Sequence, residues 1–420
     1  MINHSNLEVI VIGAGQAGLG ISYYLKQLGK KHLVLEQNTI GNSWSSQRWD
    51  SFKLNTSNKF NLLPGMNSNF TDPDAFCSGT EFVDSLKSYA KTFDLPIMEN
   101  SKVISVEKLP GQDTFSVTVK HKADTINYQC KKVVVASGIQ NVKTIPAFSS
   151  NVSKEIVQLH ASEYRNANKL PKGNVLVVGS GQSGVQIAED LADQGRKVYL
   201  STSMVARTPR RYRGRDIFEW MDLVGFYDHK PTELTDPQML KMKQPQVSGV
   251  GRRGKTVSLQ ALAKKGVIIL GKIGEAKQNH IEILANAEDH VKFGDAFSDQ
   301  LKTMIDDYIE KEGVDAPLPE IDLADLPDEN ATCVSNETSI NLKEHYITTI
   351  IWATGFKGDF GYLKLPVFNS DGALKHKDGI AEIEGLYFLG FPWLRKRKSG
   401  IVYGIVEDAK FISEKINGAL

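Results

Sequence analysis

The sequence predicts an α/β protein of two domains, each built around a parallel sheet, with the second domain inserted in the first. Two segments carry this prediction, because each reads as an apolar strand, a glycine-rich turn, a helix and another strand. They begin at Leu7 (LEVIVIGAGQAGLGISYYLKQLGKKHLVLE) and at Asn174 (NVLVVGSGQSGVQIAEDLADQGRKVYLS). Short β-rich runs between Lys102 and Gly138, split by turn residues, predict a small β-meander that returns to the first sheet.

The order of these units predicts the domain boundaries. We assign residues 1–165 and 346–420 to the first domain and residues 166–345 to the second. The reason is that the chain becomes apolar again from Thr348 (TTIIWATGF), continues through GLYFLGFPW and ends in a helix. Residues 315–330 are acidic and contain three prolines, which favours an exposed loop. The active site is expected in the cleft between the domains.

Composition favours small molecules as partners. The 50 Lys and Arg nearly balance the 49 Asp and Glu, so the net charge of +1 attracts neither nucleic acid nor a membrane surface. No apolar run reaches the roughly 18 to 20 residues of a membrane span, and no secretory signal precedes the first strand. We therefore expect a soluble, cytoplasmic protein without membrane insertion. Cys77, Cys130 and Cys333 lie far apart, which argues against a dithiol relay.

The first turn, Gly13-Ala-Gly15-Gln-Ala-Gly18, has the spacing of a Rossmann dinucleotide-binding fingerprint. The first glycine makes a tight turn, the second lets the backbone approach a pyrophosphate, and the third allows close packing of helix on strand. Glu36 ends the next strand, where a carboxylate accepts the ribose hydroxyls and repels a 2′-phosphate. This site is therefore expected to bind FAD or NAD rather than NADP.

The second turn, GSGQSG, has the same spacing but a different residue after its strand. We place Ser201 at the position that corresponds to Glu36, and four arginines follow it. A missing acid and added guanidinium groups suit a 2′-phosphate, so NADPH is favoured over NADH, although a solvated loop also explains the arginines. The predicted NADPH-binding residues are Gly179, Gly181, Gln182, Ser183, Gly184, Ser201, Thr202, Arg207 and Arg211. Because a simple dehydrogenase needs one nucleotide site, two sites indicate that hydride from NADPH meets a flavin.

Nearly the whole chain resembles the flavin-containing monooxygenases, especially compact bacterial members and the plant indole-pyruvate monooxygenases. The resemblance rests on sequence motifs spread along the chain rather than on composition. The motifs are GAGQAG with Glu36, GNSW (Gly41 to Trp44), RWDSFKLNTSNKFNLLPG (Arg48 to Gly65), VVVASG (Val133 to Gly138), HASEY (His160 to Tyr164), GSGQSG, WATGF (Trp352 to Phe356) and GLYFLGFPW (Gly385 to Trp393).

The resemblance implies FAD at the first turn, NADPH at the second, and a flavin that forms a C4a-(hydro)peroxyflavin with O2. Such an enzyme oxygenates a small organic substrate, most often at sulfur or nitrogen. Asn55 matches the asparagine that lies near the flavin C4a, where its amide hydrogen-bonds bound oxygen, and is our candidate catalytic residue. The resemblance assigns to the FAD site Gly41, Trp44, Arg48, Trp49, Ser137, Gly138, Thr354, Gly355 and Gly390. No metal is expected.

Several alternatives remain open at this point. An NADPH oxidase or quinone reductase needs the same two cofactors, and a Baeyer–Villiger or 2-oxo-acid-decarboxylating monooxygenase uses the same flavin. Lys154 and Ile156 replace the Phe and Gly of the Baeyer–Villiger fingerprint, which weakens that assignment, and His160 is expected to organise the domain junction rather than act as a base. A non-catalytic, flavin-dependent regulatory or transport-associated protein is the alternative of another class. A homo-oligomer is neither predicted nor excluded.

Overall fold

The computed structural model describes residues 7–67, 71–236, 239–240, 242, 244–249, 254–330, 332–370 and 372–418. Strands and helices alternate through most of this length. The strands are β1 (Leu7–Ile12), β2 (His32–Leu35), β3 (Ile97–Met98), β4 (Ser101–Lys108), β5 (Phe115–His121), β6 (Asp124–Val135), β7 (Val142–Lys143), β8 (Val157–His160), β9 (Asn174–Val178), β10 (Val198–Ser201), β11 (Arg211–Tyr212), β12 (Arg215–Asp216), β13 (Ile268–Leu270), β14 (Ile273–Lys277), β15 (His280–Ile283), β16 (Ser339–Asn341), β17 (Ile347–Trp352), β18 (Phe356–Lys357), β19 (His376–Lys377), β20 (Ile380–Ala381) and β21 (Leu386–Phe388).

The helices pack on the faces of the sheets, as their apolar stripes require. The α-helices are α1 (Gln16–Gln27), α2 (Asn42–Ser46), α3 (Gly79–Thr92), α4 (Gln182–Asp193), α5 (Ile217–Leu223), α6 (Leu259–Lys264), α7 (Ala287–Glu312) and α8 (Ile405–Asn417). Short 3-10 helices cover Asn58–Phe60, Ala147–Asn151, Ala161–Glu163, Ala167–Lys169, Pro231–Glu233, Arg397–Gly400 and Val402–Gly404. No helix in the described part of the chain combines the length and apolar character needed to cross a membrane.

The first sheet has the order β19-β20-β21-β6-β1-β2-β3. Its central strands β21, β6, β1, β2 and β3 run parallel, and β1 is apolar and buried from Val9 to Ile12 because both of its faces are covered there. Strands β4, β5 and β6 form an antiparallel meander. The predicted α/β class and the predicted meander are both confirmed.

The second sheet is parallel throughout, with the order β13-β10-β9-β17-β8. Its strands β8 and β17 lie outside residues 166–345, so the predicted domain boundaries need correction at both ends. Strand β17 pairs with both β9 and β8, which makes it central in this sheet rather than a return to the first. Apolar character predicted a buried strand here, but it does not say which sheet the strand joins. First-sheet strands precede β8 and follow β17, so the second sheet interrupts the first along the chain.

The two domains meet through α4 and the segment that follows α2. Asp190 on α4 accepts hydrogen bonds from the Ser51 hydroxyl at 2.5 Å and from the Tyr164 hydroxyl at 2.6 Å. Lys59 pairs with Glu219 of α5 at 2.6 Å. Residues of the predicted flavin segment are therefore held against the helix that begins at the second glycine turn.

Candidate dinucleotide sites and the cleft between them

The first glycine turn joins β1 to α1, and two of its glycines are required by packing. Gly13 has a φ of +103°, and a Cβ there would lie 2.6 Å from the carbonyl oxygen of Ala136. A Cβ on Gly18 would lie 1.8 Å from the carbonyl oxygen of Gly13. Gly15 caps α1 and a Cβ there would have no atom within 4 Å. The open face at Gly15, beside a helix N-terminus, suits an approaching pyrophosphate.

The second glycine turn joins β9 to α4 and repeats this geometry. Gly179 has a φ of +102°, and a Cβ there would lie 2.7 Å from the carbonyl oxygen of Ala353. A Cβ on Gly184 would lie 1.8 Å from the carbonyl oxygen of Gly179, whereas a Cβ on Gly181 would have no atom within 4 Å. Gln182 and Ser183 open α4 directly after this turn. Both turns thus expose one glycine at the start of a helix.

The tripeptides after β6 and β17 occupy equivalent places. Ala136-Ser137-Gly138 lies beside the first turn, and Ala353-Thr354-Gly355 lies beside the second. Thr354 and Gly355, which the resemblance assigned to the flavin, therefore border the second turn in this structure. The similarity of the sequences Ala-Ser-Gly and Ala-Thr-Gly could have predicted that each tripeptide lies beside one of the two glycine turns.

Glu36 lies where the fingerprint predicts it, directly beside the first turn. Its carboxylate accepts hydrogen bonds from the backbone N–H groups of Ala14 at 2.8 Å and Asn38 at 2.9 Å. Burial raises the pKa of this carboxyl above its usual range, although the two N–H groups act in the opposite direction. Desolvation therefore disfavours the ionised form of Glu36 at the edge of the glycine turn.

In the second domain, the residue that corresponds to Glu36 is Thr202 rather than Ser201. The N–H of Gly13 donates to the Leu35 carbonyl at 2.8 Å, and the N–H of Gly179 donates to the Ser201 carbonyl at the same distance, so Ser201 corresponds to Leu35. The prediction for Ser201 is thus displaced by one residue. The Thr202 hydroxyl donates to the carbonyl of Leu270 at 2.7 Å. A neutral side chain occupies the position of the first domain's carboxylate.

The two arginines predicted to meet a 2′-phosphate have different surroundings. Arg207 is buried, donates to Asp295 at 2.5 Å and also binds the Asp325 carboxylate. Asp325 lies in the loop predicted to be exposed, and it is buried by this contact, whereas Leu318 on the same loop is exposed. Arg207 is therefore ion-paired with two carboxylates inside the domain. Arg211 lies exposed on β11.

Residues 41–44 are fixed against the first turn. Gly41 is left-handed (φ +66°), and its N–H donates to the Ala14 carbonyl at 3.1 Å. The Trp44 indole N–H donates to the side chain of Gln16, the first residue of α1, at 3.1 Å. Gly390 also approaches α1, because a Cβ there would lie 2.6 Å from the Cβ of Ala17. The predicted flavin residues from distant parts of the sequence thus surround the start of α1.

Arg48 supplies a positive charge beside this group. Its guanidinium lies 5.0 Å from the Trp44 ring and donates to the Gln140 side chain at 2.9 Å. Burial lowers the pKa of Arg48 to about 10, and none of its described hydrogen-bond partners is a carboxylate. The neighbouring Ser137 hydroxyl shares a hydrogen bond with Tyr362 at 2.9 Å. A cation with neutral partners at a dinucleotide fingerprint suits a pyrophosphate.

Two buried polar atoms near Arg48 lack hydrogen-bond partners among the described residues. They are the indole Nε1 of Trp49 and the amide Oε1 of Gln47. Because buried polar groups are normally satisfied, these atoms mark a place where a polar ligand fits. The residues present therefore fit FAD at the first turn.

Asn55 belongs to the segment that follows α2, and two residues of the second domain hold it in place. Its Oδ1 accepts from Nε2 of Gln186 on α4 at 3.1 Å, and its backbone carbonyl accepts from Arg210 at 2.8 Å. Arg210 is itself buried and paired with Asp216 at 2.5 Å. Gln186 and Arg210 were not predicted as site residues. No sequence signal pointed to Gln186, because its neighbours one turn away on α4 are also polar.

His160 joins the ends of β8 and β17. The Ser162 N–H donates to its Nδ1 at 3.2 Å, so the proton is on Nε2, which donates to the carbonyl of Gly355 at 3.0 Å. Burial lowers the pKa of this imidazole, in agreement with a neutral ring. These contacts join the ends of two neighbouring strands of the second sheet.

The three cysteines of the chain are free thiols. Burial raises the pKa of Cys77 to about 11 and those of Cys130 and Cys333 to about 12, so all three are protonated thiols at neutral pH. Within the described residues, no cluster of His, Cys, Asp and Glu has the composition of a metal site.

Comparisons with known proteins agree with this architecture. A family model described as pyridine nucleotide-disulphide oxidoreductase matches residues 10–215, which include both glycine turns. The uncharacterized oxidoreductase CzcO of Bacillus subtilis is 33% identical over 414 residues, which cover 98% of this chain and 99% of that protein. The probable indole-3-pyruvate monooxygenase YUCCA3 of Arabidopsis thaliana is 28% identical over 68% of this chain and 67% of its own.

Among solved structures, a flavin-containing monooxygenase from Stenotrophomonas maltophilia has the same fold. The two chains align with a TM-score of 0.65 over 98% of each, at 17% sequence identity.

Proposed function

We propose that this chain, which belongs to the same family as the oxidoreductase CzcO, is an NADPH- and O2-dependent flavin monooxygenase that oxygenates a small organic substrate at sulfur or nitrogen. The observation that carries the proposal is the contact of Asn55, in the predicted flavin segment, with Gln186 on the helix that begins at the second glycine turn. An NADPH-consuming enzyme with three free thiols suits the reducing cytoplasm.

FAD is proposed to bind at the first turn. Glu36 would accept hydrogen bonds from the ribose hydroxyls, the N–H groups at Gly15 would meet the pyrophosphate, and Arg48 would balance the negative charge of the pyrophosphate. Trp49 Nε1 would gain the hydrogen-bond acceptor that it lacks among the described residues. Bound FAD supplies the redox chemistry, since it takes up hydride and activates O2.

NADPH is proposed to bind at the second turn. Thr202 presents no negative charge at the ribose, and the exposed Arg211 is the arginine proposed to meet the 2′-phosphate. Arg207, although it was predicted for this role, is proposed to act inside the domain, because two carboxylates already neutralise it. The electron flow then runs from the second turn to the first.

Asn55 is proposed to hydrogen-bond activated oxygen without protonating it. A side-chain amide donates hydrogen bonds through its N–H groups but does not release a proton at neutral pH. It would therefore stabilise a reactive oxygen without protonating it. The buried side chains of Trp49, Phe52 and Leu54 flank this position and exclude water. Both effects favour transfer of oxygen to a substrate over release of hydrogen peroxide.

The test is oxygen uptake by the FAD-loaded protein with NADPH and a panel of thioethers, amines, ketones and indole-3-pyruvate. Products are identified by mass spectrometry, and hydrogen peroxide is assayed in parallel. We expect one or more thioethers or amines to yield an oxygenated product. If NADPH is consumed with stoichiometric hydrogen peroxide across the whole panel, the protein is an oxidase; if NADPH is not consumed at all, it is not an enzyme of this type.

A further inference from the structure

The orientation of the Asn55 amide is fixed by a chain of hydrogen bonds that starts at a backbone carbonyl. We infer that Gln186 is a positioning residue, which turns the NH2 group of Asn55 toward the cleft. The inference rests on the proposed function, because it assigns the atom with which Asn55 would meet activated oxygen.

The first link of the chain is unambiguous. The carbonyl oxygen of Ser248 accepts hydrogen bonds and cannot donate, so the Gln186 atom 3.0 Å away from it must be the amide nitrogen. The same carbonyl accepts from Gln182 at 2.5 Å, which holds it in place. The hydrogen bond thereby determines which end of the Gln186 amide is nitrogen, which the similar size of the nitrogen and oxygen atoms would not.

The second link transfers this orientation to Asn55. Because the Gln186 nitrogen donates, the Asn55 atom 3.1 Å from it must be the oxygen, Oδ1. The Asn55 amide nitrogen is then on the opposite side and donates to no other group in the described chain. An amide whose oxygen is engaged in this way can offer only N–H groups to a ligand in the cleft.

The position of Asn55 is fixed independently of its orientation. Arg210 donates to the Asn55 backbone carbonyl at 2.8 Å and to the Val247 carbonyl at 3.1 Å. Loss of Gln186 would therefore free the side chain while the backbone stays in place. This separates the proposed role of Gln186 from a general role in packing.

The helix that carries Gln186 begins at the second glycine turn. Gln182 is the first residue of α4, and Gln186 follows one turn later on the same face. The side chain that orients Asn55 is thus anchored in the domain proposed to hold NADPH.

The experiment compares the FAD-loaded protein with the variants Gln186→Glu and Gln186→Met. In Gln186→Glu, a carboxylate accepts from Asn55 Nδ2, so the amide turns its oxygen toward the cleft; Gln186→Met has similar volume and no donor. Asp193→Ala, on the exposed side of the same helix, is the control. Reduced enzyme is mixed with O2 in a stopped-flow instrument, with the reoxidation rate and the product-to-peroxide ratio as readouts.

For both Gln186 variants we expect an unchanged rate of anaerobic reduction by NADPH and a product-to-peroxide ratio lower by about tenfold or more, as for loss of one donor to a developing oxyanion. Adding Gln186→Met to Asn55→Ala should cause no further change, because Gln186 acts through Asn55. If one variant does not fold, the other decides the outcome.

An unchanged ratio and reoxidation rate in the folded Gln186 variants would overturn the inference, as would an effect of Gln186→Met that adds to that of Asn55→Ala. Failure of the proposed function looks different, since the unaltered protein itself would then form no oxygenated product. The reoxidation rate remains measurable in an oxidase, so the role of Gln186 is tested in either case.

Discussion

Thr202 stands in the second glycine site where Glu36 stands in the first, each one residue beyond the carbonyl that receives the N–H of the leading glycine. This single difference separates two turns that otherwise have the same geometry. It predicts which dinucleotide each turn accepts, because a carboxylate repels a 2′-phosphate and a hydroxyl does not.

Replacement of Thr202 by Glu should convert the second turn into a site like the first. The introduced carboxylate would accept ribose hydroxyls and repel the phosphate, so the ratio of kcat/KM for NADPH to that for NADH should fall at least about tenfold. Anaerobic flavin reduction with each nucleotide measures the ratio directly. Thr202→Val is the control, since it removes the hydroxyl without adding charge; equal ratios in both variants would count against the role of Thr202.

Replacement of Glu36 by Gln separates stability from cofactor binding. Burial raises the pKa of Glu36 in the folded protein, so the ionised form costs stability above the pKa of the unfolded chain, and this cost is absent when the carboxyl is protonated. We expect the apoprotein of Glu36→Gln to be at least as stable as the unaltered apoprotein at pH 7, while FAD binds about tenfold more weakly. Thermal unfolding and fluorescence titration with FAD measure the two effects, and unchanged FAD affinity would contradict the assignment.

Arg207 and Arg211 should respond in opposite ways to substitution. Arg207→Met leaves Asp295 and Asp325 buried without their cation and should destabilise the fold by about 3 to 5 kcal/mol. Arg211→Ala should leave stability nearly unchanged and weaken NADPH binding by about tenfold, with little effect on NADH. Denaturant unfolding and nucleotide titration test both variants. Selective loss of NADPH affinity in a folded Arg207→Met protein would indicate that Arg207, rather than Arg211, binds the 2′-phosphate.

The contrast between these arginines shows what could be read from the sequence. Spacing predicted both glycine turns and the acid at Glu36, because these depend on local backbone geometry. The arginine run could not show that Arg207 is paired inside the domain, since its partners lie 88 and 118 positions away. The strand of WATGF was predicted as buried, but its sheet depended on pairing with β9 and β8, which apolar character does not encode.

Gln186 illustrates a different limit. Its neighbours one turn away on α4, Ser183 and Asp190, are polar, so helical periodicity does not place it on the apolar face of the helix. That its amide reaches Asn55, 131 positions earlier, depends on how the domains pack. Neither the burial of Gln186 nor its contact with Asn55 could therefore be predicted from the sequence.

His160 should make stability sensitive to acid. Its folded-state pKa is lowered, so the stabilisation is complete above the unfolded value of about 6.5 and is lost as the pH falls through that value toward the folded pKa. His160→Gln keeps a hydrogen-bond donor and should lose less stability between pH 7 and pH 5 than the unaltered protein. His32 and His376 also have lowered pKa values and remain in both proteins, so the difference between the two unfolding curves is the measurement. If the stabilities of the two proteins fell in parallel between pH 7 and pH 5, His160 would not contribute to the acid sensitivity.

The central claim is tested most directly by labelling with ¹⁸O2. FAD-loaded protein is supplied with NADPH, ¹⁸O2 and whichever thioether or amine gives turnover, and the product is analysed by mass spectrometry while NADPH consumption and peroxide release are recorded. The account predicts one ¹⁸O atom in each product molecule, with product formed in proportion to NADPH consumed. Product free of ¹⁸O, or hydrogen peroxide equal to the NADPH consumed with no oxygenated product, would contradict it.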